Sequence, residues 1–227
     1  MKNSYYISLL LWGIFSLTAC SNEENVPVVQ PDASGEFTDE RDGTVYKYVR
    51  YGDLEWMAEN LRFYVNTTGC HEYLTNENFG GTTNTEIFEQ FGYLYDYATA
   101  EIACPEGWRL PTDEEWQYLE REMGMSVREV EHWDWRGNYA GKLLQQGISG
   151  SGMELMTGGF RKENGTSVIS YSFLGAFGFF WTSTVDESSV GDMVIYRKIA
   201  YNENGVYRQS TMKTNGLSVR CVRDVQQ

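Results

Sequence analysis

The chain alternates short β-prone runs with glycine-rich turns, and one stretch carries a clear helical pattern. Thr44–Tyr51 alternates with period two and follows the turn dipeptide Asp42-Gly43, which predicts a hairpin at the start of the folded part. Glu55–Leu61 is typical of a short strand that runs into a loop. Residues 64–86 are rich in Asn, Thr and Gly and predict a long loop. The first half of the chain therefore favours strands joined by long connections.

The strongest helical pattern covers residues 112–123. Thr112 is suited to the N-cap position, and Glu115 stands three residues later, where a capping box places a carboxylate. Three large apolar residues then share one helix face at spacings of three and four: Trp116, Leu119 and Met123. Gly124 follows and is expected to end the helix.

Shorter helices are predicted over Ala98–Ile102 and Ser126–Glu131. After Gly137 the sequence returns to glycine-rich turns and β-prone runs, with residues 161–173 as a second long loop. The β-prone runs are Gly158–Arg161, Gly178–Thr184, Met193–Tyr196 and Leu217–Val222. A mixed α+β domain with more strands than helices follows from this pattern.

Composition supports one packed domain and argues against nucleic acid as a partner. Of 227 residues, 41% are hydrophobic and 15% aromatic, which is enough to build a core. The chain carries 18 Lys and Arg against 32 Asp and Glu, for a formal charge of -14. Such a field repels phosphate backbones, so we expect no nucleic-acid partner.

The N-terminus has the pattern of a lipoprotein signal. Lys2 precedes the apolar run Tyr5–Leu17, which is too short to span a bilayer. The run ends in Leu17-Thr18-Ala19-Cys20, which resembles the lipobox of bacterial lipoproteins. Residues 1–19 are therefore predicted to be a signal peptide and Cys20 an acylated residue, so that the membrane is contacted through the N-terminal lipid only. The alternative is an ordinary secretory signal, with Cys20 in a disulfide.

A polar segment separates Cys20 from the folded part. Ser21–Glu24 resembles the acidic signal that directs lipoproteins of Bacteroides-like bacteria to the outer face of the outer membrane. A short acidic run is also typical of a solvated tether. Residues 20–36 are interpreted as the acylated cysteine and a flexible acidic linker, and residues 37–227 as the domain.

Six motifs in order resemble the Fibrobacter succinogenes major paralogous domain, and the resemblance covers residues 37–224. The motifs are Asp39–Tyr46, Trp56–Leu61, Cys104–Trp116, Gly158–Arg161, Phe180–Thr184 and Ser218–Asp224. Gly107–Trp116 and Arg220–Arg223 are also similar to the formylglycine-generating sulfatase-modifying family, whose fold is distantly related to C-type lectins. The resemblance implies a single α+β domain of C-type lectin-like fold, with one or two main helices packed on twisted antiparallel strands and with long loops.

The same resemblance implies a disulfide. Without Cys20, the chain has Cys70, Cys104 and Cys221, an odd number for an oxidising compartment. Cys104 and Cys221 resemble the pair that joins a helix start to the last strand in C-type lectin folds. Closing a loop of about 100 residues stabilises a fold by roughly 4 to 5 kcal/mol in the chain-entropy model. Cys70 is then expected to stay a free thiol.

The large residues of these motifs indicate a scaffold. Trp108, Leu110 and Trp116 are expected to anchor the core, because each aromatic ring removes much apolar area from water. Arg109 and Arg220 are expected to be buried donors to carboxylates or backbone carbonyls.

No catalytic residue, metal site or cofactor is predicted. A formylglycine-generating-type oxidase needs two cysteines close together near the C-terminus, and only Cys221 lies there. The two histidines, His71 and His132, cannot build a three-ligand zinc site unaided. Calcium bound through loop acids stays open as an alternative.

The candidate ligand-binding residues are Trp133, Asp134, Trp135 and Arg136, where two rings alternate with charged residues in a polar stretch. The alternative is that both rings fix this stretch to the core. A lipid-anchored, non-catalytic binding module on the cell surface is the function that we expect, with a glycan or a host or surface protein as partner. The alternatives are an adhesin or surface-assembly subunit, and a formylglycine-generating-type oxidase.

The lipobox generates the first testable prediction. Substitution Cys20→Ala should abolish incorporation of a labelled fatty acid, because the thiol is the predicted acylation site. Metabolic labelling followed by capture of the protein measures this directly. Unchanged labelling in the variant would contradict the assignment.

Overall fold

The computed structural model describes residues 26–74, 84–145, 147, 150–163 and 169–225. The predicted signal peptide, Cys20 and Ser21–Glu24 lie outside the described residues. The helices are α1 Asn84–Phe91, α2 Tyr97–Ala103, α3 Asp113–Glu122, α4 Val127–Val130 and α5 Ala140–Leu144. The strands are β1 Ala33–Thr38, β2 Val45–Tyr51, β3 Leu54–Met57, β4 Cys70–His71, β5 Leu94–Tyr95, β6 Asp134–Arg136, β7 Gly158–Glu163, β8 Ile169–Leu174, β9 Phe177–Val185, β10 Met193–Ala200, β11 Val206–Met212 and β12 Val222–Asp224.

Most of these strands lie in two sheets. A four-stranded sheet has the order β1-β2-β3-β12, and a six-stranded sheet has the order β6-β11-β10-β9-β7-β8. The paired strands run antiparallel except for β7 and β9, which are parallel. A small pair, β4 and β5, completes the set. The predicted α+β class is confirmed. Among the described residues, no helix combines the length and the apolar composition needed to cross a bilayer.

The folded domain begins before the predicted boundary at residue 37. Residues 33–36 belong to β1, which pairs with β2 from Ala33 opposite Arg50 to Thr38 opposite Val45. The expected hairpin is therefore present, but its first strand extends into the predicted linker. The sequence hides this strand because Ala33–Glu36 consists of small and polar residues at the edge of a sheet.

Helix α3 forms as the capping pattern predicts. The Thr112 hydroxyl accepts a hydrogen bond from the Glu115 backbone N–H, and the Glu115 carboxylate accepts one from the Thr112 N–H at 2.8 Å. Ser126 and Glu129 form the same reciprocal pair at the start of α4. The helices predicted over residues 98–102 and 126–131 correspond to α2 and α4. Local capping thus sets the helix starts that the sequence shows.

Seven elements are absent from the sequence-based prediction: α1, α5, β4, β5, β6, β8 and β11. Strand β4 and the first residues of α1 lie within residues 64–86, which the sequence predicts as a loop. Strand β8 lies in the predicted second loop, and β11 has the polar sequence Val-Tyr-Arg-Gln-Ser-Thr-Met. Its Arg208 is buried as a partner of an acidic side chain, so burial along β11 does not follow hydrophobicity. A pattern based on apolar residues cannot detect such a strand.

The core is built around fully buried tryptophans. Trp116 of α3 packs edge-on against Trp56 of β3, with ring centroids 5.1 Å apart, and lies 6.0 Å from Phe180 of β9. Trp108 and Leu110 are also buried. Trp116 joins α3 to strands of both large sheets, and the burial of all three residues confirms their expected role as core anchors.

A buried ion network links α3 to the six-stranded sheet. Asp113 pairs with Arg197 and Arg208, each at 2.6 Å, and Glu120 pairs with Arg197 at 2.6 Å and with Arg136 at 2.7 Å. Burial by itself raises the pKa of Asp113, but hydrogen bonds from Arg208 and Arg197 and their charges outweigh it and lower this pKa to about 2. Each acid is therefore shared by two arginines.

Arg220 and Arg109, the two arginines of the sequence motifs, differ in their burial and in their partners. Arg220 is fully buried and donates to the Asn60 Oδ1 atom at 2.8 Å and to three backbone carbonyls. Arg109 was expected to be buried, but its side chain is partly exposed and pairs with Glu115 and Asp224. The physical reason is its position beside the exposed C-terminal strand β12, where it bridges β12 and the start of α3.

Cys104 and Cys221 form a disulfide across a sequence separation of 117, as the resemblance implies. It ties the end of α2 to the segment that enters β12. Cys70 is a free and buried cysteine, as expected.

The ion network generates a stability prediction. Substitution Asp113→Asn should lower the free energy of unfolding by about 3 to 5 kcal/mol, because it removes one charge of a buried set and leaves Arg197 and Arg208 undercompensated. Urea unfolding measures the change. The control is Asp224→Asn, whose carboxylate is exposed and whose loss should cost less than about 1 kcal/mol.

The same variant should differ from the wild type in its pH dependence. The folded pKa of Asp113 lies below its ordinary value of 3.8, so its contribution is complete above that pH and is lost as pH falls toward 2. Asp113→Asn should lack this part of the acid-induced loss of stability. Equal acid sensitivity in both proteins would contradict the network assignment.

Candidate functional site

The structure divides the candidate ligand-binding residues between two faces of the six-stranded sheet. Trp133 and Trp135 are 39% and 36% exposed. Trp135 stands opposite Tyr207 in the β6–β11 register, and the two ring centroids are 5.2 Å apart. Trp133 instead lies under the Arg208 guanidinium, 4.1 Å from the ring centroid. The rings therefore belong to different environments although only one residue separates them.

Arg136 and Asp134 also have different roles. Arg136 is buried, donates to the Val206 carbonyl at 2.9 Å and pairs with Glu120. Its side chain is thus occupied by the ion network and is not presented to a surface ligand. Asp134 is exposed, and its carboxylate interacts with the Tyr207 hydroxyl. Burial and this hydrogen bond raise the pKa of Tyr207.

A row of side chains crosses all six strands on the face that carries Trp135. The register places Lys198 opposite Tyr207 on one side and opposite Phe179 on the other. Phenylalanine rings on β7 and β8 continue the row beyond Phe179. We call these six residues the cross-strand row: Trp135, Tyr207, Lys198, Phe179, Phe160 and Phe173. At about 4.8 Å between strands, the row is roughly 24 Å long.

The rings of the row are in contact. The Phe160 and Phe179 centroids are 4.8 Å apart, and the Phe160 and Phe173 rings stack at 5.8 Å with planes 9° apart. Tyr196 and Phe177 flank Phe179 at 5.9 and 6.2 Å. The ends of the row are its most exposed parts, since Phe173 is 50% exposed and Trp135 36%. The result is a continuous aromatic surface with a buried centre.

Lys198 supplies the positive charge of the row. Its ammonium lies 3.8 Å from the Tyr207 ring centroid and 5.0 Å from that of Trp135, with the Phe177 and Phe179 rings at 5.4 and 6.0 Å. Burial among these rings lowers the pKa of Lys198, and the charge of Asp134 opposes that shift. The ring faces favour a cation at this position.

Both ends of the row carry a residue in the left-handed backbone region. Phe173 has φ 68° and Asp134, next to Trp135, has φ 63°. This conformation costs an L-residue with a side chain about 1 to 2 kcal/mol. The surrounding structure therefore maintains strain beside the two most exposed rings.

A polar cavity of about 370 Å³ opens beside Trp135. Asn138, Asn202 and Glu203 are among its lining residues, together with Gly137. Amide groups donate and accept hydrogen bonds, and a carboxylate accepts them. The cavity thus places hydrogen-bonding groups at one end of an aromatic surface, a combination that suits a ligand with both apolar and hydroxylated faces.

A family model described as the Fibrobacter succinogenes major domain matches residues 49–223. The chain belongs to the Fibrobacter succinogenes major domain family. No curated protein and no solved structure matches the chain. The matched range includes every residue of the cross-strand row and of the ion network.

The cysteines of this Fibrobacter succinogenes major domain are not arranged as a reactive pair. Cys221 is bonded to Cys104, and Cys70 is a buried free thiol that is bonded to neither. Burial raises the pKa of the Cys70 thiol to about 11, so little reactive thiolate forms at neutral pH. Among the residues that the structure describes, no three His, Cys, Asp or Glu side chains are grouped to hold a metal ion.

Sequence reasoning found one end of the row and missed the rest. The missed signal is a period of two: Phe177 and Phe179 are two residues apart, as are Tyr196 and Lys198, so each pair shares a face of its strand. The register between strands that are distant along the chain has no comparable local signal.

The strained backbone at Phe173 generates a prediction. Phe173→Gly should be more stable than Phe173→Ala by about 1 kcal/mol, because both remove the ring but only glycine adopts positive φ without strain. Urea unfolding of the two variants measures the difference. An alanine variant at least as stable as the glycine variant would show that this backbone conformation is not maintained.

Proposed function

We propose that this Fibrobacter succinogenes major domain is a non-catalytic binding module that holds a glycan on the cross-strand row. The observation that carries the proposal is the continuous, partly exposed aromatic surface with the polar cavity at its Trp135 end. Sugar rings have apolar faces that stack on aromatic rings and hydroxyl groups that need hydrogen bonds. The cross-strand row supplies the aromatic rings for stacking, and the cavity supplies the hydrogen-bonding groups.

The position of the row supports a binding role. Large apolar surfaces left partly exposed on a soluble domain commonly mark interaction sites. The row lies on paired strands, so its rings are held by the sheet rather than by a loop. Trp135 and Tyr207 also present large contact areas with few rotatable bonds, which limits the entropy lost on binding.

A protein partner is the second candidate, in an adhesin or surface-assembly role. Strand β8 lies at the edge of the six-stranded sheet and carries two exposed apolar residues, Ile169 and Phe173. An exposed strand edge can pair with a strand of another chain. The hydrogen-bonding groups beside Trp135 favour the glycan.

The non-catalytic part of the proposal rests on how the motif residues are used. Trp108, Trp116 and Arg220 are buried, and Cys221 is held in a disulfide. The oxidase alternative would need Cys221 as a reactive thiol with a second cysteine beside it. The motifs that define the chain thus support a scaffold.

The proposal also includes the cellular location of the protein and the type of α+β fold that it has. Family membership is compatible with a surface protein, and the lipobox favours a lipid anchor at Cys20 with display on the outer membrane. The disulfide that joins the segment before α3 to the segment that enters β12 supports a C-type lectin-like arrangement.

Two tryptophans provide a matched test. Trp135→Ala should weaken glycan binding at least about tenfold, because it removes an end ring of the row and a wall of the cavity. Trp133→Ala should leave the affinity within about twofold, since Trp133 has similar exposure but packs on Arg208. A glycan array identifies the ligand and calorimetry measures the affinities, with near-UV circular dichroism to verify folding.

Each other outcome contradicts a stated part of the proposal. Equal losses in both variants would remove the cross-strand row as the site. Capture of a surface protein without any glycan signal would favour the adhesin or assembly role. Turnover of a sulfatase-motif peptide by the wild-type protein would overturn the non-catalytic assignment.

A further inference from the structure

The ammonium group of Lys198 has aromatic neighbours but no acidic partner at contact distance among the described residues. Four rings lie within 6.0 Å of its nitrogen atom. Asp134 is the acid whose charge acts on it, yet the two form no ion pair, and Asp134 interacts with the Tyr207 hydroxyl. Lysine has three N–H donors, and ring faces satisfy them only in part.

This arrangement differs from that of the arginines on the other face of the same strands. Arg197, the neighbour of Lys198 in β10, pairs with two carboxylates, and Arg208 of β11 pairs with one through two hydrogen bonds. The arginines of β10 and β11 on that face are therefore neutralised by acids. Lys198, half-buried in the opposite face, has no such acidic partner among the described residues.

We propose that the glycan bound on the cross-strand row is acidic, with a carboxylate or sulfate group placed on the Lys198 ammonium. This inference rests on the glycan-binding function proposed above. The sugar ring stacks on Trp135 and Tyr207, while its anionic group supplies the partner that Lys198 lacks.

Charge complementarity carries the choice of an acidic over a neutral sugar. The protein has a formal charge of -14, so its overall field repels anions. The Lys198 ammonium is therefore a local positive charge, at the centre of the binding surface, on a protein whose overall charge is negative. Because Lys198 is partly withdrawn from water, its attraction to an anion is screened less than that of an exposed lysine.

The test compares matched pairs of oligosaccharides. Each uronate-bearing oligosaccharide is measured against its carboxyl-reduced form, and each sulfated one against its desulfated form, by calorimetry at low and high salt. The wild-type protein should bind the acidic member about tenfold more tightly, with a preference that declines as salt rises. The uronate and sulfate arms show which anionic group is recognised.

Three variants separate this inference from the underlying binding function. Lys198→Met keeps most of the apolar stem and should remove the preference for the acidic member. Lys47→Met makes the same charge change at an exposed position of β2, in the other sheet, and should keep the preference. Trp135→Ala should weaken binding of both members.

Failure of the two proposals has different signatures. Equal affinity of the wild-type protein for acidic and neutral members, or a preference that survives in Lys198→Met, would overturn the acidic-ligand inference and leave glycan binding intact. Absence of binding to every oligosaccharide would overturn the glycan-binding function and this inference with it. Glycan binding that is unaffected by Trp135→Ala would show that the cross-strand row is not the site, which also overturns this inference.

Discussion

The arrangement of the six-stranded sheet depends on two buried acids of α3. Asp113 and Glu120 lie seven residues apart on one helix face and accept ion pairs from Arg136, Arg197 and Arg208, which lie on three adjacent strands. Each of these charges would be costly in the core without its partners. The network therefore ties helix and sheet together in one geometry rather than merely adding stability.

The same network determines which side chains lie on the opposite face of the sheet. Each of its arginines is adjacent in sequence to a residue of the cross-strand row: Arg136 to Trp135, Arg208 to Tyr207 and Arg197 to Lys198. Because successive side chains in a strand point to opposite faces, placing the arginines beneath α3 places their neighbours on the far side. A slip of one residue in any of these strands would bury a row residue against α3 and expose an arginine. The ion pairs and the aromatic surface are thus two results of one register.

Local signals in the sequence account for much of the fold, and they fail where partners are distant. The capping pairs Thr112 with Glu115 and Ser126 with Glu129 are readable because both members lie within one turn of a helix. The disulfide was implied by a family resemblance and not by local pattern. Strand β11 is hidden because one of its two buried residues is Arg208, whose carboxylate partner lies 95 residues away. Trp133 and Trp135 looked equivalent for the same reason, since only tertiary structure shows that one packs on Arg208 and the other joins the row.

The early start of the folded domain limits how far it extends from its proposed anchor. Val26 and Val29 already pack against the core cluster that contains Trp116. If Cys20 is acylated, only six chain steps separate the lipid from the first of these packed residues, a span of at most about 20 Å when fully extended. A domain on so short a tether stays beside the bilayer and cannot sweep a large volume. Its ligands would then be molecules that reach or belong to the layer immediately above the membrane.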